Sequence, residues 1–195
     1  MPPTTFGITE FQLVLLRRMA DYNPELVEQA RTRLGASSTD MRETNAHWQR
    51  MNRSPTFRLT AQALRGFLGD PIGGTDQVAG KAGMRFQVTR WKLPLWPDLR
   101  LEAIAGADGA VLDYGLSRDP GSPVPELRRL ADLEPWTCVI GDVAAAFAPT
   151  RLREGSAPSR RELLFDASNE GGEPVFARAE FVYGLLQKAG RFDVM

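Results

Sequence analysis

The hydrophobic period of this chain changes once, near residue 70, and that change limits the folds open to it. Up to residue 69 the apolar positions recur at helical spacing; beyond residue 83 they alternate with polar ones. A chain that opens on amphipathic helices and continues in alternating strands joined by turns fits the α+β class.

Four helices are expected. Phe11, Val14, Leu15 and Met19 form a stripe behind the start signal Thr9 and Gln12. Asn23-Pro24-Glu25 opens a second helix, with a capping residue, proline at the first helical position and an acid in the first turn. It uses Leu26, Val27, Ala30 and Leu34 and stops at Gly35. A third follows Ser37-Ser38-Thr39-Asp40, with Asp40 and Glu43 as the capping pair and Met41, Trp48 and Met51 inward. Ser54-Pro55 opens a fourth, carrying Phe57, Ala61, Leu64 and Leu68, which Gly69 and Pro71 end.

Residues 70–83 are rich in glycine and read as a linker. Met84, Phe86 and Val88 then alternate with polar neighbours, as do Leu99 and Leu101. Asp108-Gly109 signals a hairpin, with Leu112, Tyr114 and Leu116 on the returning strand. Pro125 to Leu133 reads as a short helix, and Val139 to Phe147 is an apolar run that fits helix or strand. Leu163 and Phe165 precede the turn Glu170-Gly171-Gly172-Glu173, and Phe176 to Leu186 reads as one long strand. The expected organisation is a helical module at 1–69, the linker at 70–83, and a mainly antiparallel β module at 84–195, a sandwich or partly open barrel with one short helix. Met19, Trp48, Phe57 and Leu64 are more apolar bulk than a four-helix piece hides alone, so cooperative unfolding of the whole is expected.

The chain holds one histidine, His47, and one cysteine, Cys138. Transition-metal sites, Cys–His pairs, Ser–His–Asp triads and disulfides need more of these residues than are present. No metal and no cofactor is expected, and Cys138 reads as a small buried apolar residue. The net charge is zero, which gives a general polyanion binder no support, although residues 1–69 carry nine Arg against six acids. The N-terminus lacks a signal-peptide pattern, no apolar stretch approaches a membrane span, and the cytoplasm is the expected compartment. Basic residues are 21 Arg and 3 Lys, a bias that fits a GC-rich bacterial genome.

Three surfaces stand out. Arg90-Trp91-Lys92-Leu93-Pro94-Leu95-Trp96-Pro97 is the densest aromatic patch, read as an edge or bulge. Its Arg90, Trp91, Lys92 and Trp96 are candidate partner-binding residues, with a buried junction as the other placement of the rings. Residues 24–53 resemble a helix-turn-helix, with Arg42, Asn45, Gln49 and Arg50 offered to a DNA groove, although Arg31 occupies a place usually taken by a small residue. Glu102, Asp113, Asp142, Asp166 and Glu180 could serve acid–base chemistry if two of them met, or else form the solvated face of a sheet. Gly74, Gly80 and Lys81 miss the P-loop pattern in both spacing and the following hydroxyl. The leading expectation is a non-catalytic accessory or regulatory protein that contacts another protein. The alternatives are a DNA-binding regulator with a sensing β module, and a small-molecule binder or enzyme using the β-module interior.

Overall fold

Helices come first and strands after in a computed structural model that describes residues 6–79 and 84–192. The fold is α+β: α1 (Ile8–Met19), α2 (Pro24–Arg33), α3 (Ser38–Arg53) and α4 (Ala61–Leu68) precede two open four-stranded antiparallel sheets. The first runs β1 (Thr75–Ala79), β2 (Arg85–Leu93), β3 (Trp96–Ala105) and β4 (Val111–Arg118) in that order. Helix α5 (Ile140–Ala146) leads into the second, β5 (Thr150–Glu154), β6 (Arg160–Ser168), β7 (Pro174–Val182) and β8 (Leu185–Arg191), again in chain order. Two compact units result, Met1–Tyr114 and Gly115–Met195. No helix among the described residues is long and apolar enough to cross a membrane.

In the first unit α1 buries Phe11, Leu13, Val14, Leu15, Leu16 and Met19, and only Arg17 and Arg18 of its residues are exposed. It packs against α2, α3 and α4. Trp48 of α3 points in as expected and stacks on Phe6 at 5.4 Å and edge-on to Phe11 at 5.8 Å. Gln12 is also fully buried; its Nε2 donates to Ile8 O (3.2 Å) and its Oε1 accepts from Leu95 N (2.9 Å) in the β2–β3 turn. A buried amide is tolerated here because both of its ends are satisfied.

In the second unit α5 lays Val143 and Phe147 into a core with Leu163, Phe165, Val175, Phe181 and Leu186 of the sheet. Phe147 and Phe165 lie 4.9 Å apart. The β7–β8 turn has Tyr183 and Gly184 both left-handed (φ 49° and 79°), the twist a two-residue hairpin requires. Tyr183 O accepts from Leu116 N (2.6 Å), and a Cβ on Gly184 would meet Leu116 O at 2.6 Å. Glycine is therefore needed at 184 for both conformation and space.

The fold corrects several boundaries. The first helix is capped at Gly7, whose N–H donates to Glu10 at 3.0 Å, not at Thr9. Ser37 and Asp40, rather than Asp40 and Glu43, form the cap of α3. The fourth helix starts at Ala61 behind Thr60, whose hydroxyl accepts from Ala63 N; Pro55 lies in a turn. Within the stretch read as a linker, Thr75–Ala79 is strand β1; all five residues are exposed, so backbone pairing with β2 makes a strand that leaves no apolar alternation. Gly80 to Gly83, including the Gly80-Lys81-Ala82 of the P-loop comparison, lie outside the described residues. Pro125 to Leu133 holds only a 3₁₀ turn, Leu130–Asp132, and the ambiguous run at 139–147 is α5. The long strand at 176–186 is two strands, because Tyr183 takes a turn conformation that its residue type does not advertise.

Candidate functional site

The aromatic patch lies in the first unit on β2 and β3, around a turn at Pro94-Leu95. β2 pairs with β1 on one side and β3 on the other, so it is an inner strand; a register shift at Lys92/Leu93 supplies the bulge. Trp91 is 1% exposed and donates its Nε1–H to Gly69 O at 3.0 Å; Trp96 is 7% exposed. Of the two placements open from the sequence, the rings take the interior one. Arg90 is held between Asp76 and Glu102 (2.7 Å to the latter), and only Lys92 of the four stands in solvent.

On α3, Arg42 and Arg50 are exposed, as is Arg53, and none of the three makes an ion pair among the described residues. Asn45 and Gln49 are half-buried, and Asn45 Oδ1 is buried with no hydrogen-bond partner among the described residues. The α2–α3 connection turns at Gly35 (φ 66°), and Arg31 hydrogen-bonds Ala36 O across it. Arg31 thus bridges the turn at the place where a helix-turn-helix keeps a small residue. His47 is exposed and stacks on Phe6 at 6.0 Å.

The five acids have different surroundings. Glu102 pairs with Arg90 and Glu180 with Arg178 (2.9 Å), while Asp113 and Asp166 are exposed. Asp142 is buried; it accepts from Arg118 Nη2 (2.6 Å) and Val139 N (2.9 Å), and Arg118 also donates to Thr137 O (3.0 Å). That pair pins the start of α5. Cys138 beside it is fully buried, and burial pushes its thiol up to about 11, so the neutral form prevails. Among the described residues no group of His, Cys, Asp and Glu could hold a metal ion.

A cleft of about 420 Å³ in the first unit is lined by Thr60, Gln62, Arg65, Thr89, Trp91 and Asp108. Its one acid, Asp108, is engaged by Arg58 at 2.7 Å and by Ala110 N, which hold the carboxylate below its ordinary range. It is an open cleft of mixed polar and apolar lining, without the converging acids that acid–base chemistry would need.

The two edges of the second sheet are treated differently. At the start of β8 the chain supplies its own cover: Trp136 N donates to Leu186 O (2.9 Å), Leu186 N to Cys138 O (3.0 Å) and Ile140 N to Gly184 O (3.0 Å). Trp136 is left-handed (φ 67°) to make this docking, and its Nε1 donates to the buried Gln187 at 3.1 Å. At the other edge β5 pairs with β6 alone, and Arg151 to Glu154 are exposed. Alternate backbone N–H and C=O groups of β5 therefore face solvent, the usual template for an added strand. Leu152 lies opposite Leu163 and so on the core-facing side, yet it is 59% exposed. The strand is held close to its neighbour by the turn: a Cβ on Gly155 would meet Arg160 Cβ at 2.7 Å. Sequence reasoning missed this strand, whose only signal is the three-residue alternation Arg151-Leu152-Arg153. No family model, curated protein or solved structure matches this chain.

Proposed function

We propose that the chain is a non-catalytic accessory or regulatory protein of the bacterial cytoplasm that works by contact with another protein. One observation carries this reading: the second sheet covers the start of its β8 edge, at Gly184–Leu186, with the chain's own residues 136–140 and leaves β5 open along its length. Exposed edges are hazards that folded proteins normally blunt, so an uncovered one beside a covered one supports a docking role. The arginine-over-lysine bias supports the bacterial source. Affinity purification from the cells that make the chain, followed by mass spectrometry, tests the reading. A discrete partner in fixed ratio supports it; recovery of the chain alone removes it.

A DNA-binding regulator is the second reading, favoured by the exposed Arg42, Arg50 and Arg53 on α3. It predicts duplex binding that weakens steeply with salt and disappears in Arg42→Ala with Arg50→Ala. No binding of the unmutated chain to mixed DNA fragments at low salt removes it.

A further inference from the structure

Resting on the protein-contact reading above, we infer that β5 receives an extended segment of another protein in which acidic residues flank an apolar one, added as a fifth strand. The side chains of β5 sort by face. Arg151 lies opposite Leu164 and Arg153 opposite Glu162, which puts both on the face opposite to the one that carries Leu163 and Phe165. Both are exposed, and neither makes an ion pair among the described residues. On the other face Leu152 extends the core surface of Leu163 past the end of the sheet.

The outer face shows what an added strand would continue. One cross-strand row reads Arg153, Glu162, Glu180, Lys188. Its open end is a cation, so the next position outward favours an acid, and the same holds beside Arg151. The position between them lies over Leu152 and favours an apolar side chain. A second copy of this chain does not fit. Antiparallel pairing centred on Leu152 sets Arg151 against Arg153 twice, and parallel pairing sets each arginine beside its own twin; like charges directly opposite are destabilising. The exposed β1 edge offers no such pattern, since its Asp76 is already engaged by Arg90.

The test uses the full chain and fluorescent heptapeptides of alternating glutamate and valine, read by anisotropy. Two further peptides carry N-methyl groups on alternate amides, in the two possible phases. A fourth has lysine in place of glutamate. Strand addition presents only every second amide to β5, so one methylation phase should weaken binding at least about tenfold and the other should not. Arg151→Glu with Arg153→Glu should lose the glutamate peptide by a similar factor and gain the lysine peptide. Backbone amide NMR shifts should concentrate at residues 150–154. Equal sensitivity to both methylation phases would mean unspecific charge attraction and overturn the assignment, as would failure of the glutamate peptide to bind. Affinity capture with wild type and the double variant separates the two levels. A partner held equally by both overturns the β5 assignment and leaves the protein-contact reading standing; no captured partner and no peptide binding overturn both.

Discussion

Twice the chain sets a short helix before a four-stranded antiparallel meander, α4 before β1–β4 and α5 before β5–β8. Each unit also buries one glutamine with both amide ends bonded, Gln12 in the first and Gln187 in the second. They part in what surrounds this plan. The first unit adds three helices and buries the run Phe11–Leu16 of α1, all apolar but for Gln12. The second has one seven-residue helix, and it fixes the long segment between β4 and α5 with an ion pair and with backbone bonds to β8. A helical layer brings its own satisfied backbone, whereas irregular chain over a small core has to find partners for every buried polar group.

Matched truncations give the largest effect. Trp91→Ala in the first unit and Phe165→Ala in the second should each cost about 3–5 kcal/mol in denaturant unfolding, since both rings are 1% exposed. A much smaller loss in one unit would show that its core repacks and would break the parallel. Next, Asp142→Ala strands the Arg118 guanidinium, which is 15% exposed, and should cost about 3 kcal/mol, with Asp142→Asn milder because it can still accept from Val139 N. Gln12→Met and Gln187→Met should each cost about 1–3 kcal/mol by removing the side-chain acceptors of Leu95 N and Trp136 Nε1, and a clear inequality would show which glutamine matters more.

Smaller effects follow pH. The raised Cys138 thiol favours the protonated, folded form, so its contribution is complete below the unfolded thiol's value and is lost as pH rises towards 11. At pH 8 thiol reagents should label it only on opening of the second unit. If the chain unfolds as one, the labelling midpoint coincides with loss of helical circular dichroism; an earlier midpoint separates the units. Smallest is the pair Asp108→Asn and Asp132→Asn. The N–H groups of Arg128 and Arg129 hold Asp132 below the usual carboxylate range, as Ala110 N and Arg58 do for Asp108. Lowered values contribute stability above the unfolded value and lose it as pH falls through the folded one, so each variant should melt slightly earlier at pH 7 and match wild type in acid.

Helical order, the α+β class and the turns at Asp108-Gly109 and Glu170 to Glu173 were legible because each rests on local spacing or local turn chemistry. Trp48 was legible as an inward residue for the same reason, and Cys138 from the habit of free cysteines to be buried. Strands β1 and β5 were not, because an edge strand with exposed side chains is held by hydrogen bonds to a distant segment. The break at Tyr183 was hidden because its left-handed backbone is imposed by Gly184, Leu116 and Ser159, none of which alters the apolar pattern. The burial of Trp91 and Trp96 was not legible because it depends on what lies over that face of the sheet, such as Gly69 O against the Trp91 indole, and no local spacing reports this.

The cover laid over the start of β8 by residues 136–140 has a consequence for assembly. A sheet with both ends bare can seed growth in two directions and so nucleate a filament. Here residues 136–140 occupy the backbone groups of Gly184 and Leu186, so an incoming strand finds the start of β8 already taken, whereas the whole of β5 is free to pair.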